Sequence, residues 1–257
     1  MALQSVGVVV GITLLCGLHT SAQALPYTDS FSAKSLHHSW NFRAENGGTY
    51  EFRDGWIHIV APGRGFVNPH SNQDAPMLLI DPPANTDTFS FETRLKFLRT
   101  TAACGAGLVA IRKDLTGSMV LNYQRERAGG VGVLQLYFWD HLHWEPGGVL
   151  ALFAETEDIW LRVEMGLDLQ FFFWKDVEGQ PWTPASAPNG NDFVLPATID
   201  PRFEPGTYWI GLFVMSGQAA DEEVEVAFDY FNSPELGPLP VTSSGSSALV
   251  WAAIKAP

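Results

Sequence analysis

Tyr137, Trp139 and Trp174 are aromatic residues set on strand-like runs among amides and charged groups rather than among aliphatics. Side chains alternate across a strand, so parity separates the two faces of each run. In 132–139, Leu134, Leu136 and Phe138 share one face. Gln135, Tyr137 and Trp139 share the other, which continues through His141 and His143. In 118–125, Met119, Leu121 and Tyr123 oppose Val120, Asn122 and Gln124, with Glu126 following. In 159–165, Ile159, Leu161 and Val163 oppose Trp160, Arg162 and Glu164; in 169–175, Phe171 and Phe173 oppose Gln170, Phe172 and Trp174. An ordinary solvent face favours Lys, Glu, Ser and Thr over Trp and Tyr. Flat rings cover a patch of C–H bonds, while planar amides, carboxylates and guanidinium groups engage hydroxyls in pairs. That combination suits a pyranose, and it defines the expected glycan-binding set: Asn122, Gln124, Glu126, Gln135, Tyr137, Trp139, His141, Arg162 and Trp174. The bland alternative is that the rings only pack under a long loop or the C-terminal tail.

Catalysis needs more than a platform. A glycosidase requires two carboxyl groups, about 5–5.5 Å apart for retention or about 6.5–9.5 Å for inversion. Residues i and i+2 of a strand stand roughly 6.6–6.8 Å apart. Glu155-Thr156-Glu157 and Glu223-Val224-Glu225 have that spacing, the first reading as a loop and the second as solvated charge opening a strand. A lyase would use a Tyr or His base with a group that neutralises a uronate. Tyr137, His141, Arg162 and Gln124 have suitable chemistry but sit in no lyase motif. A Gly-x-Ser-x-Gly elbow is absent, and His141-x-His143 has no third metal ligand at standard spacing. Non-catalytic recognition is therefore the leading expectation, a glycoside hydrolase or polysaccharide lyase the alternative, and a structural envelope protein the third.

These side chains must be positioned by strands. Of 257 residues, 46% are hydrophobic and 12% aromatic, so a sizeable core can form. Short runs rich in Phe, Trp, Val, Ile and Leu alternate with turns drawn from 24 Gly and 17 Pro. The clear runs are 55–60, 89–98, 107–112, 118–125, 132–139, 159–165, 169–175, 207–215 and 224–231. The architecture expected is an all-β, two-sheet antiparallel sandwich with Leu134, Leu136, Phe138, Leu161, Val163, Phe171, Phe173, Leu212, Val226 and Phe228 inside. Fifteen basic against 28 acidic residues give a net charge of −13, which disfavours nucleic acid and anionic membranes. Residues 1–24 carry no charged side chain; an apolar run from Val6 to Leu18 precedes the small-x-small triplet Ala22-Gln23-Ala24. That order reads as a secretory signal peptide, and the protein is expected to be extracellular or periplasmic. The sandwich then spans 25–232, followed by a Pro/Ser/Gly linker and short apolar tail over 233–257. Removal of the signal leaves one cysteine, Cys104, in a small-residue setting that suits a buried thiol.

The order of several short segments resembles a family. They are Asp29-Ser30-Phe31 with Trp40, Asp54-Gly55-Trp56-Ile57-His58-Ile59, Ala75-Pro76-Met77-Leu78-Leu79 and Phe89-Ser90-Phe91-Glu92-Thr93. Ala106-Gly107-Leu108-Val109, Trp160-Leu161-Arg162-Val163-Glu164, Gly211-Leu212-Phe213 and Phe228-Asp229-Tyr230-Phe231 follow. Together they are similar to the concanavalin A-like jelly rolls of the DUF1349 type, related to the C-terminal sandwich of some family-43 β-xylosidases. The resemblance implies two packed antiparallel sheets and glycan contact, without implying catalysis. It also implies a structural calcium joining the first and last strands, with Asp29 and Asp229 at the matching positions.

Overall fold

The protein is described by a computed structural model over residues 27–45, 47–63, 75–83, 88–100, 104–125, 131–140, 144–154, 156–166, 170–185, 206–216 and 223–236. Its strands are β1 (Tyr27–Asp29), β2 (Asn41–Arg43), β3 (Thr49–Arg53), β4 (Trp56–Ala61), β5 (Met77–Ile80), β6 (Phe89–Arg99), β7 (Cys104–Arg112) and β8 (Gly117–Arg125). They continue as β9 (Val131–Asp140), β10 (Trp144–Ala154), β11 (Asp158–Met165), β12 (Gln170–Lys175), β13 (Thr183–Pro184), β14 (Tyr208–Met215) and β15 (Val224–Ser233). One sheet of eight strands runs β13-β12-β11-β6-β15-β4-β3, with β1 paired beside β15; the other, of seven, runs β10-β9-β8-β7-β14-β5-β2. The all-β sandwich expected from the sequence is therefore the architecture.

Alternation places the core between the sheets. Ile57, Ile59, Phe91, Leu161, Val163, Val226 and Phe228 project from one sheet onto Leu78, Leu121, Leu134, Leu136 and Leu212 of the other, all fully buried. Each such side chain contributes about 1.5–3 kcal/mol on leaving water. The side chains of Phe138 and Phe171 lie outside those described. Phe173 departs from expectation. In the β11–β12 ladder, Leu161 faces Trp174 and Val163 faces Phe172, so these aromatics share the core side. Phe172 is buried in the core and Trp174 packs against it, while Phe173 is half-buried on the opposite face. Phe171-Phe172-Phe173-Trp174 is aromatic at both parities, so only the register with β11 decides which rings go inward.

The seven-stranded sheet is apolar on its outer face too. Met77, Leu79, Val109, Ile111, Val120, Phe213 and Met215 form a second buried cluster there. β5, β7 and β14 are accordingly near-continuous apolar runs, the pattern of strands covered on both sides.

Two local features set the edges of the eight-stranded sheet. Asp54 and Gly55 both have positive φ, 56° and 81°, which is the geometry of a two-residue primed turn. This hairpin fixes Glu51 opposite His58 and Arg53 opposite Trp56. At the chain's start, β1 pairs with the end of β15, and Asp29 fastens the turn that follows. Its Oδ1 accepts from the Phe31 amide at 2.9 Å, and its Oδ2 accepts from Trp40 Nε1 at 2.8 Å and the Tyr27 hydroxyl at 3.3 Å. Trp40, thus aimed, packs edge-on to Phe231 at 5.1 Å and beside Phe31. At the other end, Pro234–Leu236 forms a 3-10 turn whose Glu235 carboxylate accepts from the Ser90 amide, so these residues pack on the sandwich rather than leave it as linker.

These placements have measurable consequences. Phe172→Ala is expected to cost about 3–5 kcal/mol of unfolding free energy and Phe173→Ala markedly less, read from denaturant midpoints. Equal or reversed costs would restore the opposite parity for β12. Asp29→Ala is expected to cost about 2–4 kcal/mol, because it removes a charged acceptor and leaves the Trp40 and Phe31 donors unpaired.

Candidate functional site

The expected glycan-binding residues divide between two surfaces. Asn122 and Gln124 on β8, with Gln135 and Tyr137 on β9, share the outer face of the seven-stranded sheet, where Asn122 stands opposite Gln135 and Val120 opposite Tyr137. Trp139 follows in β9 opposite Ser118, but its side chain lies outside those described. Glu126 and His141 lie outside the described residues altogether. Arg162 belongs elsewhere. It projects from β11 of the other sheet, where its guanidinium meets Glu164 at 2.8 Å and Trp182 at 5.9 Å. Trp174 is also withdrawn, because the β11–β12 register turns it to the core.

At the centre of the first group is Asn122, which is completely buried. Neither its Oδ1 nor its Nδ2 makes a hydrogen bond of good geometry, and the polar group it bears on is the Tyr137 hydroxyl. Tyr137, its neighbour, hydrogen-bonds instead to Gln135 Oε1. Burial pushes the Tyr137 hydroxyl above its ordinary pKa, and Asn122 offsets part of that rise. The amide lies over Gly105 of β7: a Cβ there would stand 2.1 Å from Asn122 Oδ1. Gly105 thus supplies the floor on which the carboxamide rests. Around it are Val109, Val120 and Phe213, which offer no polar atom from their side chains. An unpaired buried amide costs about 1–3 kcal/mol, so this is an expensive place for asparagine. Gln124, Gln135 and Tyr137 remain half-buried and reach the edge of the same face. Chemically, the cluster presents amide donors and acceptors with a phenol ring, all without net charge.

The outer face of the eight-stranded sheet is built from charge and indole. Arg94 of β6 lies between Trp56 and Trp160, 5.0 and 4.8 Å from their centroids. Its two ends meet Asp158 at 2.9 Å and Asp229 at 3.2 Å. Burial works against the Arg94 charge, yet these carboxylates more than offset it and raise its pKa. Lys96 covers Trp56 at 4.3 Å, and Lys175 covers Trp182 at 4.7 Å. Trp160 is therefore buried although it points away from the core. These rings already carry cations on their faces, and the parity argument missed them because it took exposure for granted.

The calcium expected between Asp29 and Asp229 does not fit these surroundings. Asp29 directs its carboxylate at N–H and O–H donors, which cannot face a cation. Asp229 is held by the Arg94 guanidinium. Of the two Glu-x-Glu pairs, Glu155-x-Glu157 has its first residue outside those described, while Glu223 pairs with Arg99 and Glu225 with Arg53.

No family model matches the chain, and no curated protein matches it. Solved structures do. A glycoside hydrolase family 43 protein, BlXynB from Bacillus licheniformis, is 15% identical, with a TM-score of 0.61 over 81% of this chain and 39% of that one. A xylan β-1,4-xylosidase from Bacillus halodurans is 18% identical, with a TM-score of 0.59 over 80% of this chain and 38% of that one. The CBM2 module of the evolved Dit of Lactobacillus casei phage J-1 is 8% identical, with a TM-score of 0.53 over 84% of this chain and 98% of that one. The chain spans about two fifths of the family 43 proteins it matches. What it shares with all three is the two-sheet β-sandwich, and the finer DUF1349 resemblance has no matching family model.

Proposed function

We propose that the protein is a secreted, non-catalytic carbohydrate-binding sandwich that holds a polysaccharide along β8 and β9 on the outer face of the seven-stranded sheet. The observation that carries this reading is the polar row on this face, half-buried Gln124, Gln135 and Tyr137 around the buried Asn122 amide whose polar atoms are left unpaired. A vicinal diol of a sugar supplies both an acceptor for Nδ2 and a donor for Oδ1. Gln124 and Gln135 extend the same chemistry, and the Tyr137 ring stacks on the sugar's C–H face. From Gln124 to Ser118 the strand advances roughly 20 Å, enough for several sugar units. Glu126 and His141 follow β8 and β9 directly in sequence, and Trp139 belongs to β9; all three keep the chemistry expected of them from the sequence. The names of the neighbours, two of them family 43 glycoside hydrolase and xylosidase and one a CBM2 module, favour a carbohydrate ligand. Secretion rests on the pattern of residues 1–24. Hydrolysis gains no support, since the Glu223 and Glu225 carboxylates are each engaged by cations.

Retention of the protein by insoluble polysaccharides, xylan among them, tests the proposal together with its melting temperature. Asn122→Leu removes an unpaired polar group in favour of hydrocarbon, so stability is expected to be unchanged or raised by about 1–2 kcal/mol. Retention is expected to fall more than tenfold. Undiminished retention with a lowered melting temperature would make Asn122 a purely structural residue and remove the site.

A further inference from the structure

A second polar cluster lies on the outer face of the other sheet, away from Asn122, and is independent of the glycan reading. Glu51 of β3, His58 of β4 and Glu225 of β15 bring one ligand atom each to within 4.8 Å of one another. His58 is buried, with 4% of its surface exposed, and the Glu225 side chain retains 14%. His58 Nδ1 and Glu225 Oε1 stand 3.1 Å apart. The edge between two ligands of a tetrahedral zinc shell, with bonds of about 2.0–2.1 Å, is about 3.3 Å.

One cation donor already sits where these lone pairs converge. Arg53 Nη2 is 2.8 Å from His58 Nδ1 and 2.5 Å from Glu225 Oε1, and Arg53 Nη1 is 2.9 Å from Glu51 Oε1. In the Nε2–H tautomer, His58 Nδ1 and Glu225 Oε1 are both acceptors aimed at the same positive group, the arrangement a metal ion needs. The Arg53 side chain is 47% exposed and unbranched to its head group, so it can swing into water and vacate the position.

We infer that Glu51, His58 and Glu225 form a binding site for a divalent first-row transition ion of the zinc type, with Arg53 as the resident cation that the metal displaces. An imidazole beside two carboxylates favours such an ion over calcium, which prefers six to eight oxygens. Water completes the fourth position. The ion clasps the edge strand β3 to β4 and β15, and so adds to stability by binding only the folded state.

Calorimetry and thermal unfolding on the untagged full-length protein, stripped with chelator and titrated with zinc alone, test the inference. Zinc is expected to raise the wild-type Tm by about 5 °C at a hundredfold excess over its Kd. Arg53→Met, which removes the competing cation, is expected to tighten zinc about tenfold. Glu51→Gln is expected to weaken it about tenfold, and His58→Asn to abolish it. If His58→Asn fails to fold, Glu51→Gln decides, because Glu51 lies exposed on the edge strand. No zinc response in either wild type or Arg53→Met overturns the site. A zinc response undiminished in Glu51→Gln overturns it as well, since the ion would then be held elsewhere.

Discussion

Strand β15 carries the constraint on which the rest depends. It pairs with β6 on one side and β4 on the other, and its far end receives β1. Its register with β6 shifts twice, between Glu225 and Val226 and between Phe228 and Tyr230. Val224, Val226 and Phe228 are buried at even positions, whereas Phe231 and Ser233 are buried at odd ones, so the strand changes the parity of its inward face at Asp229. A bulge of this kind bends the strand and re-aims its side chains. The regular ladder with β4 sets Glu225 beside His58 and Arg53, while Asp229, at the second shift, meets Arg94 and through it Trp56 and Trp160. Both polar clusters of the eight-stranded sheet thus take a carboxylate from β15.

The two sheets solve the problem of their outer faces differently. The eight-stranded sheet covers its indoles with cations and neutralises those cations with carboxylates, though Arg94 Nε and Asp158 Oδ1 stay buried without a partner. The seven-stranded sheet hides hydrocarbon and leaves one amide unpaired within it. The Asn122 amide differs in kind, because both of its side-chain polar atoms lie unpaired over a glycine floor at a cost that stability alone does not justify. Aromatic content alone would have favoured the first surface; the hydrogen-bond balance favours the second.

Much of the fold was legible in the sequence, and the reasons are specific. Alternation of Leu134, Leu136, Leu161, Val163, Val226 and Phe228 with their neighbours placed three of the strands and their faces, because each face there has one composition. It failed where composition is the same on both sides. The Phe171–Trp174 run left parity to the β11 register, and Trp174 moved from the expected site into the core. β10 was not among the expected runs; it contains Pro146, Gly147 and Gly148 and absorbs them with register shifts. The site was half legible. Asn122, Gln124, Gln135 and Tyr137 share a face as their parity required, whereas Arg162 has the right chemistry on the wrong sheet, a matter of topology that spacing within one strand cannot report. The parity change in β15 did leave a trace: Phe228 and Phe231 are three apart, an odd separation that two residues on one face of a regular strand cannot have.

The central claim is that a sugar completes the hydrogen bonding of Asn122. The most direct measurement follows the side-chain NH2 resonances of Asn and Gln during titration with xylo-oligosaccharides. The Asn122 pair is expected to shift most and to exchange more slowly with solvent when saturated, with Gln135 and Gln124 following. Shifts confined to the indole signals of Trp56, Trp160 and Trp182, with the Asn122 pair unmoved, would contradict the account and place binding on the opposite face of the sandwich.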